Sequence, residues 1–546
     1  MRKPNQPICE VAQLRRRSVC GFLLLMALFC VMIVRLYGIS NGTELAAAAQ
    51  AQQVYTLAVA NTRGTVFDCK LRPITNGCTR AVTVAAATPA AVTAVRSALS
   101  AEAAADVLAR MQSGKPILFN GALPKNTEGA CTFFVPQYYT EYFCAPHVLG
   151  YTNADGNGVC GVEQAYNALL TACGGSVTVR YRADAWGRML NGEALESTNT
   201  TQNGGGVVLT LDRDIQQMAE RVATEALPRG AIVILESATG KIRAMVSTPA
   251  FDPQCVTDAL QQKNAPLLNR ALCAYNVGSV FKLVAASCAA ESGETTLKQT
   301  CTGVLEHAGR TFQCINAVPH GTVGLSDAVA VSCNCYFIAL AEQLGAQTVY
   351  DMAQRLGFGQ SLWLTSNLVS ENGVLPSLQD LSAPSALANF SFGQGDLLAT
   401  PLQIAAMMQA IANDGQKIDP SLVEYTIDEN GAVTPPQVLY AERVMSAHSA
   451  ELVRGYMQQA VTNGSAYRAA PAHGGAGAKT ATAESGWYEN GAAAVQAWCA
   501  GFYPSESAQY VIVVFAENGR SGSSAAAPVF RQLADGLWTL GVVENA

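Results

Sequence analysis

The sequence predicts an α+β protein with one membrane-spanning helix near its N-terminus and an antiparallel sheet in its main domain. An uncharged apolar run from Ser18 to Val34 predicts the helix. Gly230 to Met245 contains two β-rich runs joined by a turn, which predicts a hairpin. A second pair of strands is predicted at Gln496 to Tyr503 and Gln509 to Glu517. Because helical segments fill the interval, the strands from both ends are expected to meet in one sheet flanked by helices.

The apolar run is bracketed by arginines and is expected to anchor the chain in a membrane. Arginines at positions 15–17 precede it, and positive charge beside a spanning helix marks the cytoplasmic side. Leu36 to Ile39 extend the helix, so we predict a cytoplasmic tail over residues 1–17 and an anchor over residues 18–39. The alternative is a cleaved signal peptide, since small residues follow at Ala46 to Ala49, but these lie well beyond the apolar run.

A polar linker separates two predicted domains outside the membrane. The first covers residues 40–205, combines an alanine-rich helical stretch (Ala81 to Arg110) with glycine-punctuated segments, and ends in the linker Ser197 to Gly206. The second covers residues 206–546 and begins with a strand, after which Asp212 can cap a helix.

The composition excludes one class of partner and leaves the state of the cysteines open. Of 546 residues, 49% are hydrophobic and the formal net charge is −6, so no basic surplus favours a nucleic-acid partner. Cys69 with Cys78 and Cys301 with Cys314 are candidate disulfides among the 17 cysteines, although free thiols are equally compatible. No Cys-x-x-Cys pair or His/Cys cluster with zinc spacing is present, so no metal is predicted.

Ser279 and Lys282 form a candidate nucleophile and base. They lie in the segment VGSVFKLVAAS, three positions apart at the start of an apolar helical run, and therefore share one helix face. A serine hydroxyl needs a base to take its proton, and a lysine can do this when burial lowers the pKa of its ammonium group from about 10.4 toward neutrality. The alternative is a capping serine beside a surface lysine.

Two further segments carry candidate site residues. In VAVSCNCYF, Ser332 can relay a proton between Lys282 and a leaving amine, and Asn334 can hold a peptide group. In GGAGAKTATAES, Lys479 and Thr480 lie on a predicted strand whose small neighbours leave room for a ligand, and they suit a carboxylate. Each segment also has an ordinary explanation, a loop or cap role for the first and an edge-strand lysine that opposes aggregation for the second.

These segments occur in the order Ser-x-x-Lys, Ser-x-Asn and Lys-Thr, the motif set of penicillin-binding proteins and related β-lactamases. The chain resembles class B penicillin-binding proteins from the anchor almost to the C-terminus. The other segments that carry the resemblance are RGTVFDCKLRPIT, HVLGY, GVCGVEQAYN, TLD, LLNRAL, FGQGDLLATPLQIA and AWCAGFYP. The resemblance implies an elongated pedestal or dimerisation-type module over residues 40–205 and a penicillin-binding transpeptidase domain over residues 206–546, outside a bacterial cytoplasmic membrane.

The resemblance also implies a reaction, the cross-linking of peptidoglycan stem peptides that end in D-alanyl-D-alanine. Ser279 would attack the penultimate D-alanine carbonyl, Lys282 would act as the base, and Ser332 would pass the proton to the departing D-alanine. An amine of a neighbouring stem peptide would then take the acyl group. β-Lactams would acylate Ser279 because they mimic the peptide end. No cofactor is expected, and the implied partner is a membrane-embedded glycan polymerase.

Substrate binding is likewise implied by the resemblance. Asn334 would orient the peptide, and Lys479, Thr480 and Thr482 would hold its terminal carboxylate. The oxyanion would lie between the backbone N–H groups of Thr482 and the nucleophile. Family members usually carry glycine where this chain has Ala481, whose methyl group is expected to crowd the acyl group or tilt the strand.

Three other functions are alternatives to the transpeptidase. A D,D-carboxypeptidase would use the same residues with water as the acceptor. A catalytically weak scaffold or sensor subunit is the function that Ala481 favours. A histidine-based hydrolase is disfavoured, because G-x-S-x-G is absent around Ser279 and no histidine lies in a nucleophile-elbow context.

Overall fold

The computed structural model describes residues 8–41, 54–140, 143–184, 186–190, 192–201, 204–436, 440–489 and 492–543. The chain forms two compact units. The smaller comprises residues 1–61, 80–135 and 176–200, and the larger comprises residues 62–79, 136–175 and 201–546. The larger unit thus includes residues 62–79, 136–175 and 201–205 of the predicted first domain, and the predicted boundary at residue 205 stays a prediction.

A long N-terminal helix, Ile8–Ser40, contains the predicted anchor. Within it, Ala12–Ser40 reaches a mean hydropathy of 2.6 and has none of its apolar window buried in the protein. Among the described residues this is the one helix long and apolar enough to cross a bilayer. The residues predicted as anchor, 18–39, are helical throughout, and the helix begins within the predicted tail.

Among its described residues, the smaller unit holds two three-stranded sheets and two helices besides the N-terminal helix. Its strands are Val54–Thr62, Cys78–Ala85, Ile117–Asn120, Ala130–Gln137, Gly175–Arg182 and Glu196–Asn199, and its helices are Pro89–Ala98 and Ala101–Met111. The predicted helical stretch Ala81 to Arg110 is wrong in its first part. There the β-branched run Val82 to Val84 belongs to a strand, and the helix begins only after Thr88 caps it by accepting from the Ala91 N–H.

A five-stranded antiparallel sheet forms the centre of the larger unit. In spatial order its strands are Ile242–Thr248, Gly230–Glu236, Tyr510–Ala516, Ala492–Tyr503 and Gly477–Glu489. The predicted N-terminal hairpin and the predicted C-terminal pair therefore meet side by side. Direct pairing of Gly230–Glu236 with Tyr510–Ala516 confirms the α+β class.

Helices cover both faces of this sheet because side chains alternate along its strands. Val233 and Phe515 belong to the core on one face, whereas Ile232 and Val514 belong to the core on the other. The first face carries the helices Lys282–Ser292 and Pro401–Ala412, and the second carries Arg213–Ala226 and Ala527–Thr539. Both helices on the first face are buried along most of their length, as expected for helices that are apolar all round.

The other elements of the larger unit are mostly short and connect these layers. The strands are Thr65–Phe67, Gly206–Leu209, Tyr275–Asn276, Gln299–Cys301, Val304–His307, Arg310–Gln313, Gly321–Val323, Leu398–Ala399, Gln416–Ile418, Val423–Ile427, Val433–Thr434 and Ala441–Arg443. The helices and helical turns are Pro146–Leu149, Gly161–Ala165, Asn167–Ala172, Val256–Leu260, Gly278–Phe281, Ile315–Ala317, Leu325–Val331, Asn334–Leu344, Ala346–Arg355, Leu378–Leu381, Pro384–Ser391, Ala447–Asn463, Tyr467–Ala469 and Gly522–Ala526.

Candidate active site

Ser279 lies on a tight turn at the start of a buried helix. The turn, Gly278–Phe281, is a 3-10 segment that continues directly into the helix Lys282–Ser292. Ser279 is partly exposed while its neighbours in the turn are buried, and its hydroxyl makes no hydrogen bond to another described residue. The turn that leads into this helix therefore presents at the surface a hydroxyl without a hydrogen-bond partner in the described part of the chain.

Gly278 fixes this turn against the last strand of the central sheet, Gly477–Glu489. Its backbone is left-handed, with φ of +62°, and a Cβ at this position would lie 3.1 Å from Ala483 Cβ and 3.4 Å from Ala481 Cβ. Its N–H also donates to the carbonyl of Gly393 at 2.9 Å. Glycine adopts this left-handed turn without strain, and the absence of a Cβ leaves room for the strand to pass close to Ser279.

Lys282 is fully buried, and its amine is held by the residues around Ser332. The Nζ atom donates to the Ser332 carbonyl at 2.7 Å, to Ser332 Oγ at 3.1 Å and to Asn334 Oδ1 at 2.6 Å. Burial lowers the pKa of Lys282 to about 8, against the smaller opposing effect of the thiols of Cys333, Cys314 and Cys335. At pH 7 about a tenth of this amine is therefore neutral, the form that a general base requires.

Lys479 approaches the same hydroxyl from the other side. Its Nζ donates to Ser332 Oγ at 3.0 Å and to the Thr480 carbonyl at 2.9 Å. Burial, and then the charge of Lys282, hold the pKa of Lys479 well below its ordinary value. Two ammonium ions that share one hydroxyl repel each other. The two lysines therefore resist being in the ammonium form at the same time near neutral pH.

Ser332 occupies a strained position between two helices. It follows Leu325–Val331 and precedes Asn334–Leu344, and its φ of +59° is in the left-handed region that costs a non-glycine residue on the order of 1 kcal/mol. This conformation directs both its carbonyl and its hydroxyl toward Lys282. Asn334 is fixed in turn, since its Nδ2 donates to the Gln313 carbonyl at 2.8 Å.

The strand that carries Lys479 presents its neighbours to different faces. Residues alternate along a strand, so Lys479 and Ala481 share one face, and Thr480 and Thr482 share the other. Thr482 Oγ1 accepts a hydrogen bond from the Gly522 N–H at 3.1 Å. The predicted roles of Thr480 and Thr482 at a substrate carboxylate and of the Thr482 N–H at the oxyanion stay predictions. The Ala481 methyl group is 3% exposed and packs in the core beside the Ser279 turn, so it can act on the site through packing.

Two residues that position the Ser279 segment were missed by the sequence reasoning. The Asn276 N–H donates to Gln496 Oε1 at 2.6 Å, and Trp498 Nε1 donates to the Asn276 carbonyl at 2.9 Å. Both partners lie in the neighbouring strand Ala492–Tyr503, more than two hundred positions along the chain. Periodicity could place Trp498 in a strand but carried no sign of this contact.

A cleft of about 790 Å³ opens at the Asn276 end of this segment. Its lining includes Tyr275, Asp396, Gln496 and Glu517. A concave space of this size is sufficient for a peptide or a small molecule.

Four buried cysteines cluster behind Ser332: Cys301, Cys314, Cys333 and Cys335. No disulfide joins the cysteines that the structure describes, and the Sγ atoms of Cys301 and Cys314, a candidate pair from the sequence, are 3.7 Å apart. The other candidate pair, Cys69 and Cys78, also has free thiols. The prediction that no metal site is present considered only spacing along the chain, which does not reveal this cluster.

Comparison with known proteins agrees with this fold and this set of side chains. Residues 230–535 match the model of the penicillin-binding protein transpeptidase domain, more than half of the chain. Penicillin-binding protein PbpB of Mycolicibacterium smegmatis is 30% identical over 72% of this chain and 63% of its own length. Peptidoglycan D,D-transpeptidase PbpA of the same organism is 30% identical over 70% of this chain and 79% of its own. Stage V sporulation protein D of Bacillus subtilis is 29% identical over 72% of this chain and 63% of its own.

Among solved structures, penicillin-binding protein 3 of Mycobacterium tuberculosis in complex with aztreonam matches with a TM-score of 0.65. It is 24% identical, and the match covers 90% of this chain and 98% of that one, which supports the fold. Fold and motif residues together define a protein of the penicillin-recognising class. The chain belongs to the penicillin-binding protein transpeptidase family, and its relatives are of class B. It spans about three fifths of the length of the PbpB and stage V sporulation relatives, 63% in each case.

Proposed function

We propose that this protein is a peptidoglycan D,D-transpeptidase that works through an acyl-enzyme on Ser279. One observation carries the proposal: Ser332 Oγ lies between two buried amines, 3.1 Å from Lys282 Nζ and 3.0 Å from Lys479 Nζ. A chain of hydroxyl and amine groups of this kind can move a proton without water. The name of the relative PbpA, a peptidoglycan D,D-transpeptidase, supports the same activity.

Acylation begins with neutral Lys282, which takes the proton of Ser279 as the hydroxyl oxygen attacks the penultimate D-alanine carbonyl. The tetrahedral oxyanion is held by the backbone N–H groups of Ser279 and Thr482. When the peptide bond breaks, Ser332 gives its proton to the departing D-alanine amine and receives one from Lys282. Lys282 is neutral again, and the stem peptide remains bound to Ser279 as an ester.

Deacylation is the same exchange with an amine as the nucleophile. The amine of a neighbouring stem peptide attacks the ester carbonyl and gives up a proton through Ser332 to Lys282. The ester bond breaks, and Lys282 returns the proton to the Ser279 oxygen. A new peptide bond is formed and the free hydroxyl is restored, so protons and charges balance over the cycle.

Substrate binding uses the groups that surround this proton path. Asn334 orients the peptide through its amide, although its Oδ1 also accepts from Lys282 in the free protein. A terminal carboxylate binds near Lys479, Thr480 and Thr482. The arrival of this carboxylate raises the pKa of Lys479, because opposite charge favours the ammonium form. β-Lactams carry a carboxylate in the same place and leave Ser279 acylated.

The protein acts outside the bacterial cytoplasmic membrane, with its N-terminus inside. The apolar helix Ile8–Ser40 supports a single-pass anchor, and the arginines at positions 15–17 favour the cytoplasmic side for the tail. The proposed partner is a membrane-embedded glycan polymerase that supplies the strands to be cross-linked.

The nucleophile is tested with a fluorescent penicillin and the detergent-solubilised full chain. Wild-type protein is expected to form a covalent adduct that survives denaturation, and Ser279→Ala is expected to form none. Ser292→Ala is the matched control, because Ser292 is an exposed serine at the far end of the same helix. Undiminished labelling of Ser279→Ala would refute the assignment.

The acceptor is tested by adding a D-amino acid to a reaction with a D-alanyl-D-alanine peptide donor. A transpeptidase is expected to form the exchanged peptide in proportion to the acceptor concentration. Free acid as the only product indicates a D,D-carboxypeptidase. Reversible penicillin binding without any adduct indicates a scaffold or sensor subunit, the function that Ala481 would favour.

A further inference from the structure

Three thiols and one imidazole converge directly behind Ser332. Cys301, Cys314, His320 and Cys333 each present one ligand atom, and these four atoms lie within 4.8 Å of one another. Cys301 ends one strand, Cys314 follows a second, His320 precedes a third, and Cys333 stands between two helices. Four separate elements therefore direct soft ligands at one point.

The distances among these atoms fit a tetrahedral ion. Zinc–sulfur bonds of about 2.3 Å in a tetrahedron require sulfur atoms about 3.8 Å apart, and a nitrogen ligand shortens an edge to about 3.5 Å. The Sγ atoms of Cys301 and Cys314 are 3.7 Å apart, those of Cys314 and Cys333 are 3.9 Å apart, and Cys301 Sγ is 3.5 Å from His320 Nδ1. Three edges of the tetrahedron are thus already formed.

The surroundings favour thiolates at this place. The Gly303 N–H donates to Cys301 Sγ at 3.3 Å. Backbone donors of this kind stabilise metal-bound sulfur and fix its orientation. The three cysteines are at most 1% exposed, so solvent does not compete for the thiol ligands, while His320 is half-buried.

We propose that Cys301, Cys314, His320 and Cys333 bind one zinc ion in a closed structural site. Three thiolates and one imidazole form a common structural zinc set, and soft sulfur ligands select against magnesium and calcium. Binding releases the thiol protons into solution and involves no change of oxidation state.

The zinc ion would position the proposed catalytic residues without touching substrate. Cys333 is the residue between Ser332 and Asn334, so its bond to the metal fixes the strained turn that directs both of them at Lys282. Gln313, whose carbonyl holds the Asn334 amide, directly precedes the ligand Cys314. The metal therefore fixes both the Cys333 turn and the Gln313 segment, which hold the Ser-x-Asn motif in place.

The test measures metal content and ligand geometry in the full chain, so its outcome does not depend on transpeptidase activity. The purified protein is expected to contain about one zinc per chain by plasma mass spectrometry. After chelation, cobalt(II) is expected to rebind and to give the thiolate charge-transfer band and the intense visible bands of a tetrahedral site. Less than about 0.2 zinc per chain, both as purified and after incubation with zinc, would overturn the proposal. An octahedral cobalt spectrum would also overturn it.

Variants separate the four ligands from the neighbouring thiols. Cys301→Ser and His320→Ala are each expected to lower retained zinc at least tenfold after dialysis against a mild chelator. Cys335→Ser is the matched control, because Cys335 Sγ lies 3.8 Å from Cys314 but is outside the ligand set, and Cys255→Ser is an exposed control. Full zinc retention in His320→Ala would contradict the ligand set. A disulfide found between Cys301 and Cys314 in the native protein by mass mapping would exclude the site.

Discussion

Raising the pH from 6 to 9 is expected to accelerate acylation of Ser279 about 90-fold, because the base must be neutral. Burial lowers the pKa of Lys282 to about 8. The neutral fraction of such an amine is about 1% at pH 6, about 9% at pH 7 and about 90% at pH 9. Without burial, an amine with a pKa near 10.4 would be only about 0.04% neutral at pH 7. Burial therefore raises the neutral fraction of Lys282 at this pH about 200-fold.

The direction of this effect follows from the charge of the group. Burial disfavours the ammonium form, so the amine loses its proton at lower pH than a lysine in water, and activity is lost as the pH falls below 8. The ionisable groups that face this amine are Lys479 and the sulfur atoms of Cys314, Cys333 and Cys335. Because the two amines interact, the measured value belongs to the pair.

The assay is the second-order rate constant for fluorescent penicillin, taken from brief labelling at each pH. We expect a slope of one on a logarithmic plot below pH 7 and a plateau above pH 9. Circular dichroism at each pH checks that the fold is unchanged. Cys335→Ser is expected to keep the profile, since it removes a neighbouring thiol and leaves the amine. A rate independent of pH, or one that still rises steeply at pH 10, would refute the reasoning.

Three substitutions test other parts of the site. Ser332→Ala removes the hydroxyl shared by the two lysines and is expected to slow acylation by about 10²-fold to 10⁴-fold in the same labelling assay; a change below threefold would contradict the relay. Ala481→Gly removes a buried methyl group and frees the backbone, so urea unfolding should show a free energy of unfolding lower by about 1–2 kcal/mol. The rate of acylation should change by less than about threefold. Faster acylation by more than tenfold would instead indicate that the methyl group obstructs the substrate. Trp498→Phe leaves the Asn276 carbonyl without its donor and is expected to lower the free energy of unfolding by about 1–3 kcal/mol in the same measurement. Unchanged stability would show that this hydrogen bond does not hold the Ser279 segment in place.

The sheet and its neighbours could be predicted because their signals are local. Alternating β-rich runs at Gly230 to Met245 and in the C-terminal segment identified four of the five strands, and the segment around Lys479 was predicted as a strand as well. The apolar run near the N-terminus identified the helix Ile8–Ser40. The prediction of a helix from Ala81 onward was wrong at its start, because alanine favours a helix only where tertiary packing does not impose another structure. There Val82 and Val84 pack inside a strand, and tertiary burial outweighed helix propensity.

The candidate site was predictable in its residue types but not in its connections. The motif order selected Ser279, Lys282, Ser332 and Lys479, and the structure brings the two amines to one hydroxyl. Nothing in the sequence shows that both amines donate to Ser332, because that contact depends on a left-handed turn and on a strand far along the chain. Pairing across such distances is a property of topology, which periodicity does not encode.

The cysteines show why spacing rules miss a site of this kind. A Cys-x-x-Cys pair works as a metal-binding signal because one tight turn supplies two ligands. Here each ligand comes from a different element, and the Ser-x-Asn motif itself supplies one of them in Cys333. Cys333, between the proposed relay serine and the proposed substrate-binding asparagine, is buried against Cys314, so its side chain is available for a second role. The Cys333 thiol connects the Ser-x-Asn motif to the other three candidate ligands behind it. Together these four side chains have the dimensions of a zinc site.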